Sequence, residues 1–403
     1  MKRYQVAIAG YYGFGNLGDE LLARASVEAL LRHGVERKRI VILSNDPEDS
    51  MRNFGIEAVN RWSLIQVSRA IKHSDTLLFG GGGLFQDTTS VRSCFYYWGL
   101  VKLALRWKVK IWALGQSVGP LTTRTGRTIA SDALGSCHVL HLRDKASLAV
   151  CEALKIHPDN FPETDSKIEL GCDMTLLLAD HMLDKMKSES AKARFLVNIR
   201  PCPANKALPE QFALAISLSA LKNAEENAGK KADKKTWKNV WRNFGRKPIK
   251  SPSSTQESLR GIALWDADLC GVALADEDEQ IMSKLIENGI LPPMPIERVR
   301  TLDDAARVWR GANGAAGMRL HFAILSAMAE VPLLVVPYAP KVEAFAKAYD
   351  VPMWSHDEKL SAAPPLPVLK VPTLKESVEH ARQKIEELCQ VMLDENAEIM
   401  DLA

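Results

Sequence analysis

The chain has 403 residues, more than one ordinary domain requires, and its 46% apolar content is enough for two buried cores and excludes a disordered chain. The formal charge of +3 is too small to mark a nucleic-acid binder, and seven scattered cysteines without a C-x-x-C pair argue against both a zinc ribbon and a disulfide framework. The start runs directly into a strand pattern with no secretory h-region, and the best apolar stretch, Phe95 to Trp107, is broken by Lys102 and Arg106, so the expectation is a cytoplasmic enzyme without a membrane span.

The first strand is predicted at residues 5–9. It leads into Gly10-Tyr11-Tyr12-Gly13-Phe14-Gly15-Asn16-Leu17-Gly18-Asp19-Glu20 and a helix over 20–32. Gly13, Gly15 and Gly18 satisfy G-x-G-x-x-G, yet the first acid after the second strand, Asp46, lies 28 residues past Gly18, whereas a dinucleotide fingerprint wants about 20. The loop therefore reads as one that shapes an acceptor site through Gly15 and Asn16, or as a tight strand-to-helix turn, and NAD binding is disfavoured.

Strands follow at 40–43 and 76–79, the latter entering Gly80-Gly81-Gly82-Gly83-Leu84-Phe85-Gln86-Asp87. Four successive glycines cost conformational entropy on folding, so a backbone nest for an anion or a close sugar explains them better than stability does. In that reading Gly82 and Gly83 line the ligand, while Gln86 and Asp87 point polar atoms at it. After a helix over 94–106, a strand at 110–114 ends in Gly115-Gln116-Ser117-Val118-Gly119-Pro120, and one at 139–142 ends in Arg143-Asp144. Ligands bind at such carboxyl ends of parallel strands, which makes Gln116 and Arg143 binding candidates. Arg143 has the fork geometry for a carboxylate or phosphate.

The stretch 180–193 is charged and weakly patterned and marks a domain boundary. Beyond it, strands are predicted at 195–199, 261–265, 312–316 and 333–336, with helices over 276–288 and 320–328. A proline-rich loop at 362–372 precedes a long helix from 373 to about 400. The predicted architecture is α/β: two Rossmann-like parallel-sheet domains, 1–185 and 193–372, in GT-B-like arrangement, closed by a C-terminal helix over 373–403. Residues 222–258 break the βα rhythm. Lys222 to Lys250 carries +7, leaving −4 for the remainder, and Trp237, Trp241 and Phe244 stand among the bases. It reads as a solvated insertion or as a peripheral contact for anionic lipid at the inner face of the cytoplasmic membrane, with nucleic acid disfavoured.

The last motif is Gly317-Met318-Arg319-Leu320-His321-Phe322, followed after one strand by Tyr338-Ala339-Pro340-Lys341. Arg319 and His321 fall at a helix start, where free amides and the dipole favour anions, and a βαβ crossover carries Lys341 to the same edge. Such a set suits a small trianion bearing carboxylate and phosphate. No His/Cys/Asp cluster has ligand spacing, so neither a metal nor an organic cofactor is expected.

In these ordered motifs, together with Asn198-Ile199-Arg200, the chain resembles the polysaccharide pyruvyl transferase family, notably the bacterial ketal-pyruvyltransferases of secondary cell-wall polymers. The resemblance spans roughly 4–180 and 195–350. It implies a GT-B-like fold, phosphoenolpyruvate as donor, and a lipid-linked saccharide as acceptor, often an N-acetylmannosamine ketalised at its 4- and 6-hydroxyls. It also implies that Arg143, Arg319, His321 and Lys341 face the donor. Ala339 stands where the family commonly has an acid, and Ser117 where it has glycine. In the expected chemistry His321 is the general acid or base, Arg319, Arg143 and Lys341 hold carboxylate and phosphate, and Asp87 is an acceptor-side base. The runner-up is a GT-B glycosyltransferase using a nucleotide sugar; it is less favoured because the cations appear without an acidic clamp for a ribose. A catalytically silent sugar-binding member is the remaining reading.

Overall fold

Two parallel sheets organise the described residues of the computed structural model, which are 2–88, 90–156, 167–187, 192–228, 268–354, 371–372 and 374–387. The chain divides into one unit of Met1–Asp180 with Lys375–Ala403 and a second of His181–Leu374. The first sheet contains β1 (Tyr4–Ala9), β2 (Ile40–Ser44), β3 (Glu57–Asn60), β4 (Ser74–Phe79), β5 (Gly82–Phe85), β6 (Lys110–Val118), β7 (Val139–Leu142) and β8 (Lys167–Leu170). Its order is β3-β2-β1-β4-β6-β7-β8, with β5 also pairing on β6, and every pairing is parallel. The second sheet contains β9 (Arg194–Asn198), β10 (Asp268–Ala273), β11 (Ile296–Arg298), β12 (Ala312–Gly317) and β13 (Leu333–Val335), in the parallel order β11-β10-β9-β12-β13.

Parallel strands covered on both faces need unbroken apolar runs, which β1 and β2 supply with Val6-Ala7-Ile8 and Ile40-Val41-Ile42, all fully buried. Side-chain caps stop the helices from unwinding into the loops: Ser63 accepts from Gln66 N, Thr123 from Gly126 N, and Asp144 from Ser147 N. In the first core Phe79, Phe85 and Tyr97 meet with centroids 6.0 Å apart for each pair. In the second, Trp309 Nε1 donates to Ser326 Oγ at 2.9 Å and satisfies the polar tip of a fully buried ring.

The two-domain α/β expectation holds, and the differences are local. β6 runs on to Val118 rather than stopping at 114, because β5 and β7 flank it and pair with it at Gln116. The short strands β3, β5, β8 and β11 were not anticipated; β3 reads Glu-Ala-Val-Asn and lies half-buried at the sheet edge, without the apolar run that marks β1. The division after Asp180 falls in the stretch 180–193 expected to be boundary, whose residues 180–186 belong to the helix Ala179–Met186. The predicted strand at 261–265 and residues 229–258 of the basic stretch lie outside the described residues. Residues 222–228 end the helix Leu208–Ala228. The helix over 375–387 belongs to the first unit, where Cys172 Sγ donates to Ser377 O at 3.4 Å and Lys384 pairs with Glu169 at 3.0 Å.

Candidate functional site

Open parallel sheets take ligands at the carboxyl edge, where neighbouring strands send their connections in opposite directions. In the first sheet that point lies between β1 and β4, and its loops are the first two glycine motifs. Asn16 caps the helix Leu17–Arg32, its side chain accepting from Gly18 N at 3.2 Å. Gly13 N donates to Glu20 Oε1 at 2.8 Å, and the amides of Phe14 and Gly15 face the same carboxylate. Burial pushes the Glu20 carboxyl up, and these amides pull against it without prevailing. The amide cradle thus already holds an anion, supplied by the chain itself. Gly15, at φ +71°, opens on empty space.

The glycine run divides by cause. A Cβ on Gly80 would stand 2.5 Å from both Tyr12 Oη and Ser26 Oγ, so packing alone requires glycine there. Gly82, at φ +92°, has Asp19 Oδ1 3.6 Å from the place of its absent Cβ. From Gly82 onward the chain is β5, a paired strand and not the expected nest. Gln116 is fully buried, donates through Nε2 to Gly82 O, and leaves Oε1 without a partner among the described residues. The half-buried Gln86 side chain lies against Gly83. This edge therefore gathers Gly15, Asp19, Gly82, Gly83, Gln86 and Gln116.

Asp87 is occupied differently from the expectation. Its two oxygens accept from the amides of Thr122 (2.6 Å) and Thr123 (2.8 Å) and from both hydroxyls (3.0 and 2.6 Å). Desolvation raises its carboxyl, but these four donors, Thr123 foremost, outweigh it and hold the pKa at about 2. A carboxylate so saturated is a clamp on the loop before the helix Arg124–Leu134 and a poor base. That corrects the acceptor-base assignment. Arg143 also differs. Its Nε and Nη1 pair with Asp144 (3.4 Å) and Asp173 (3.1 Å), so two carboxylates already exceed its charge, although Nη2 has no partner among the described residues.

In the second sheet the connections diverge between β9 and β12. Asn198, at the end of β9, accepts the Arg319 backbone N–H at 2.9 Å and donates to Val272 O at 2.9 Å. Arg319 Nε donates to both oxygens of the fully buried Asp278, at 2.8 and 2.6 Å, and Nη2 donates to Glu277 Oε1 at 2.6 Å. Burial works against the guanidinium charge, but Asp278 and Glu277 more than offset it and keep it protonated. The expected free anion clamp is thus a buried ion pair, and the second edge does carry acids. Both lie at the start of the helix Asp276–Glu287, beyond the stretch where the sequence placed a strand.

Arg200, just past β9, has the freedom expected of Arg319. Its Nη1 donates to Tyr338 Oη at 2.8 Å and its Nε to Pro201 O at 3.2 Å, both neutral acceptors, and its guanidinium lies 4.8 Å from the Tyr338 ring centre. No carboxylate lies within ion-pair distance of it among the described residues, although its charge adds to the lowering of the Glu277 carboxyl. His321 is half-buried in the first turn of the helix Leu320–Met328, after β12, and Lys341 is exposed in the first turn of Pro340–Ala348, after β13. The adjacent strands β9, β12 and β13 therefore send Arg200, His321 and Lys341 to one sheet edge. The residue order Asn198-Ile199-Arg200 at a strand end carried the signal for Arg200. Among the described residues no cluster of three or more His, Cys, Asp or Glu is placed to hold a metal, and no helix is long and apolar enough to cross a membrane.

The model of the polysaccharide pyruvyl transferase family matches residues 16–340, and the chain belongs to that family. A comparison with curated proteins gives no match. Among solved structures, the UDP-GlcNAc 2-epimerase of Neisseria meningitidis bound to UDP-GlcNAc shares 12% identity at TM-score 0.50, covering 96% of this chain and 93% of its own. The UDP-GlcNAc 2-epimerase of Methanocaldococcus jannaschii, in complex with UDP-GlcNAc and UDP, shares 10% at TM-score 0.50 over 94% and 98%. At such identities the likeness is one of fold, GT-B-like.

Proposed function

We propose that this polysaccharide pyruvyl transferase takes its pyruvyl group from phosphoenolpyruvate and places it as a ketal on a sugar of a lipid-linked cell-envelope saccharide. The observation that carries the donor assignment is Arg200. At the switch point of the second sheet it is a guanidinium bound only by neutral groups, on an edge that also receives His321 and Lys341. A small trianion fits this set, with Arg200 and Lys341 meeting carboxylate and phosphate. Arg319 is a positioning residue, fixing the strand end from which His321 departs.

The chemistry balances with two proton transfers. C3 of the donor takes a proton, a sugar hydroxyl attacks C2, and the phosphate leaves. A second hydroxyl of the same sugar then closes the ketal, one hydroxyl proton ending on C3 and the other on the phosphate. Imidazole exchanges protons near neutrality, so His321 serves as the acid or base at the donor. On the first unit, Asp19 beside Gly82 replaces Asp87 as the acceptor-side carboxylate, with Gly15, Gly83, Gln86 and Gln116 around it. The reaction as written needs no metal and no organic cofactor.

The test is incubation of the purified chain with phosphoenolpyruvate and a panel of lipid-diphosphate disaccharides, reading phosphate release and product mass. One phosphate per acceptor that gains one pyruvate less one water supports the reading. Thermal stabilisation by a UDP-sugar and none by phosphoenolpyruvate would sink it.

A further inference from the structure

Three helices of the first unit lie side by side: Leu64–Lys72 packs beside Arg92–Arg106, which packs beside Arg124–Leu134. Together they carry seven Lys or Arg and one acid, Asp132, which is itself bound to Lys102 at 2.6 Å and to Trp98 Nε1. Arg69, Lys72, Arg92 and Arg106 are exposed and form no ion pair among the described residues. This face is strongly basic although the whole chain is only +3.

The same face carries apolar side chains where water should be. The helix Leu64–Lys72 buries Val67, Ala70 and Ile71 against the sheet, yet Leu64 is 79% and Ile65 74% exposed. Trp62, just ahead of them, is 60% exposed, and Phe95 on the neighbouring helix is 45%. Scattered exposed leucines are ordinary, but three large apolar residues within four positions, with a fourth from the adjacent helix, form a patch that soluble surfaces avoid. The Trp62 indole is held rather than loose: Nε1 donates to Asn45 Oδ1 at 2.8 Å, and the ring lies 5.9 Å from Tyr96. Both helices begin at the carboxyl edge of the first sheet, so the apolar tips form a rim beside the Gly15–Gly82 loops. The cations extend behind the rim, since Ile65, Arg69 and Lys72 are spaced four and three apart and share one stripe.

We propose that this rim and basic face dock the protein on an anionic lipid bilayer, with Trp62, Leu64, Ile65 and Phe95 entering the interface and the cations lying along the headgroups. An amphipathic indole at the boundary, aliphatic side chains beyond it and unpaired cations behind are what an interfacial contact requires. Nucleic acid would use the cations but gains nothing from Leu64 and Ile65. The contact differs from the basic stretch 222–258, and its presence does not depend on which group the enzyme transfers, because vesicle binding is read without turnover.

The test is co-sedimentation of the full chain with phosphatidylcholine vesicles and with vesicles containing phosphatidylglycerol, at low and high salt. Binding to the anionic vesicles that weakens with salt, and on the order of tenfold less to neutral ones, is expected. Leu64→Ser/Ile65→Ser and Arg69→Glu/Lys72→Glu should each lower partitioning on the order of tenfold, while thermal unfolding and turnover on a short-chain soluble acceptor stay at wild-type values. Undiminished binding by both double variants overturns the proposal, as does loss of binding only when the lysines of 222–258 are replaced. A dimer, detected without vesicles and dissolved by Leu64→Ser/Ile65→Ser, assigns the patch to a second copy of the chain and also overturns it.

Discussion

The switch points of the two sheets differ in what the chain itself has filled. At the first, the amide cradle of Gly13–Gly15 holds the Glu20 carboxylate, and the buried Gln116 keeps Oε1 without a partner among the described residues. At the second, Asp278 and Glu277 hold Arg319, and the group left over is Arg200. In each case the most conspicuous residue of the motif is consumed internally and a less conspicuous neighbour stays available. A charged group buried with its counter-charge supports the scaffold, whereas one bound by neutral partners retains its field for a ligand.

The sharpest way to break this comparison is to exchange the roles of the two arginines. Arg200→Ala should lower kcat/KM for phosphoenolpyruvate on the order of 10²–10³-fold with unchanged thermal unfolding. His321→Ala should cost on the order of 10²–10⁴ in kcat. Arg319→Ala should act chiefly on folding, because it leaves Asp278 buried without its cation, a loss of about 3–5 kcal/mol seen in denaturant unfolding. The double variant Arg319→Met/Asp278→Leu should recover much of that stability, since both charges then go together. If Arg319→Ala folds normally and loses only activity, while Arg200→Ala is silent, the assignment is inverted.

Much of this was legible in the sequence, for physical reasons that also mark where legibility ends. Apolar runs such as Val6–Ala9 and Ile40–Leu43 identify strands buried on both faces, and their alternation with helices fixes the α/β class. β3 and β11 escape notice because short edge strands need no such run. The motifs place polar residues at strand ends, as the structure has them, but pairing is a long-range property. Nothing near Arg319 in sequence announces that residues 277 and 278 will meet it, nor does Asp87 reveal the two threonines 35 and 36 positions later that saturate it. Exposure is equally hidden: nothing in the sequence separates Leu64 and Ile65 from Val67, Ala70 and Ile71, which the helix turns inward.

The first unit's edge is braced from behind by His141, and pH tests how far that bracing is structural. Its Nδ1 accepts from Gly115 N at 3.1 Å, directly before Gln116, and its ring lies 6.3 Å from that of His380 on the helix over 375–387. Burial first, then His380, lower its pKa to about 4; Glu169 opposes them, and Lys384 adds a still smaller lowering. Because the folded value is depressed, the unfolded chain takes up the proton first. The stabilisation is present above about pH 6.5 and fades as pH falls towards 4, by about 3 kcal/mol in all. Denaturant unfolding across that range should show the loss, and His141→Gln should flatten it. An unchanged slope in the variant would place the acid sensitivity elsewhere.

The smallest expected effect separates Asp87 from Asp19. Asp87→Asn keeps one acceptor oxygen but loses the charge that four donors converge on, so it should destabilise the first unit by about 1–3 kcal/mol. Turnover at saturating substrates should stay within a few-fold. Wild-type stability attributable to Asp87 should fade as pH falls from about 4 towards 2, since its folded pKa lies below the unfolded one. Asp19→Asn should instead act on turnover, depressing kcat with the acceptor on the order of 10²-fold. A drop in kcat confined to Asp87→Asn would return the acceptor base to Asp87 and reduce Asp19 to a residue of the helix's first turn.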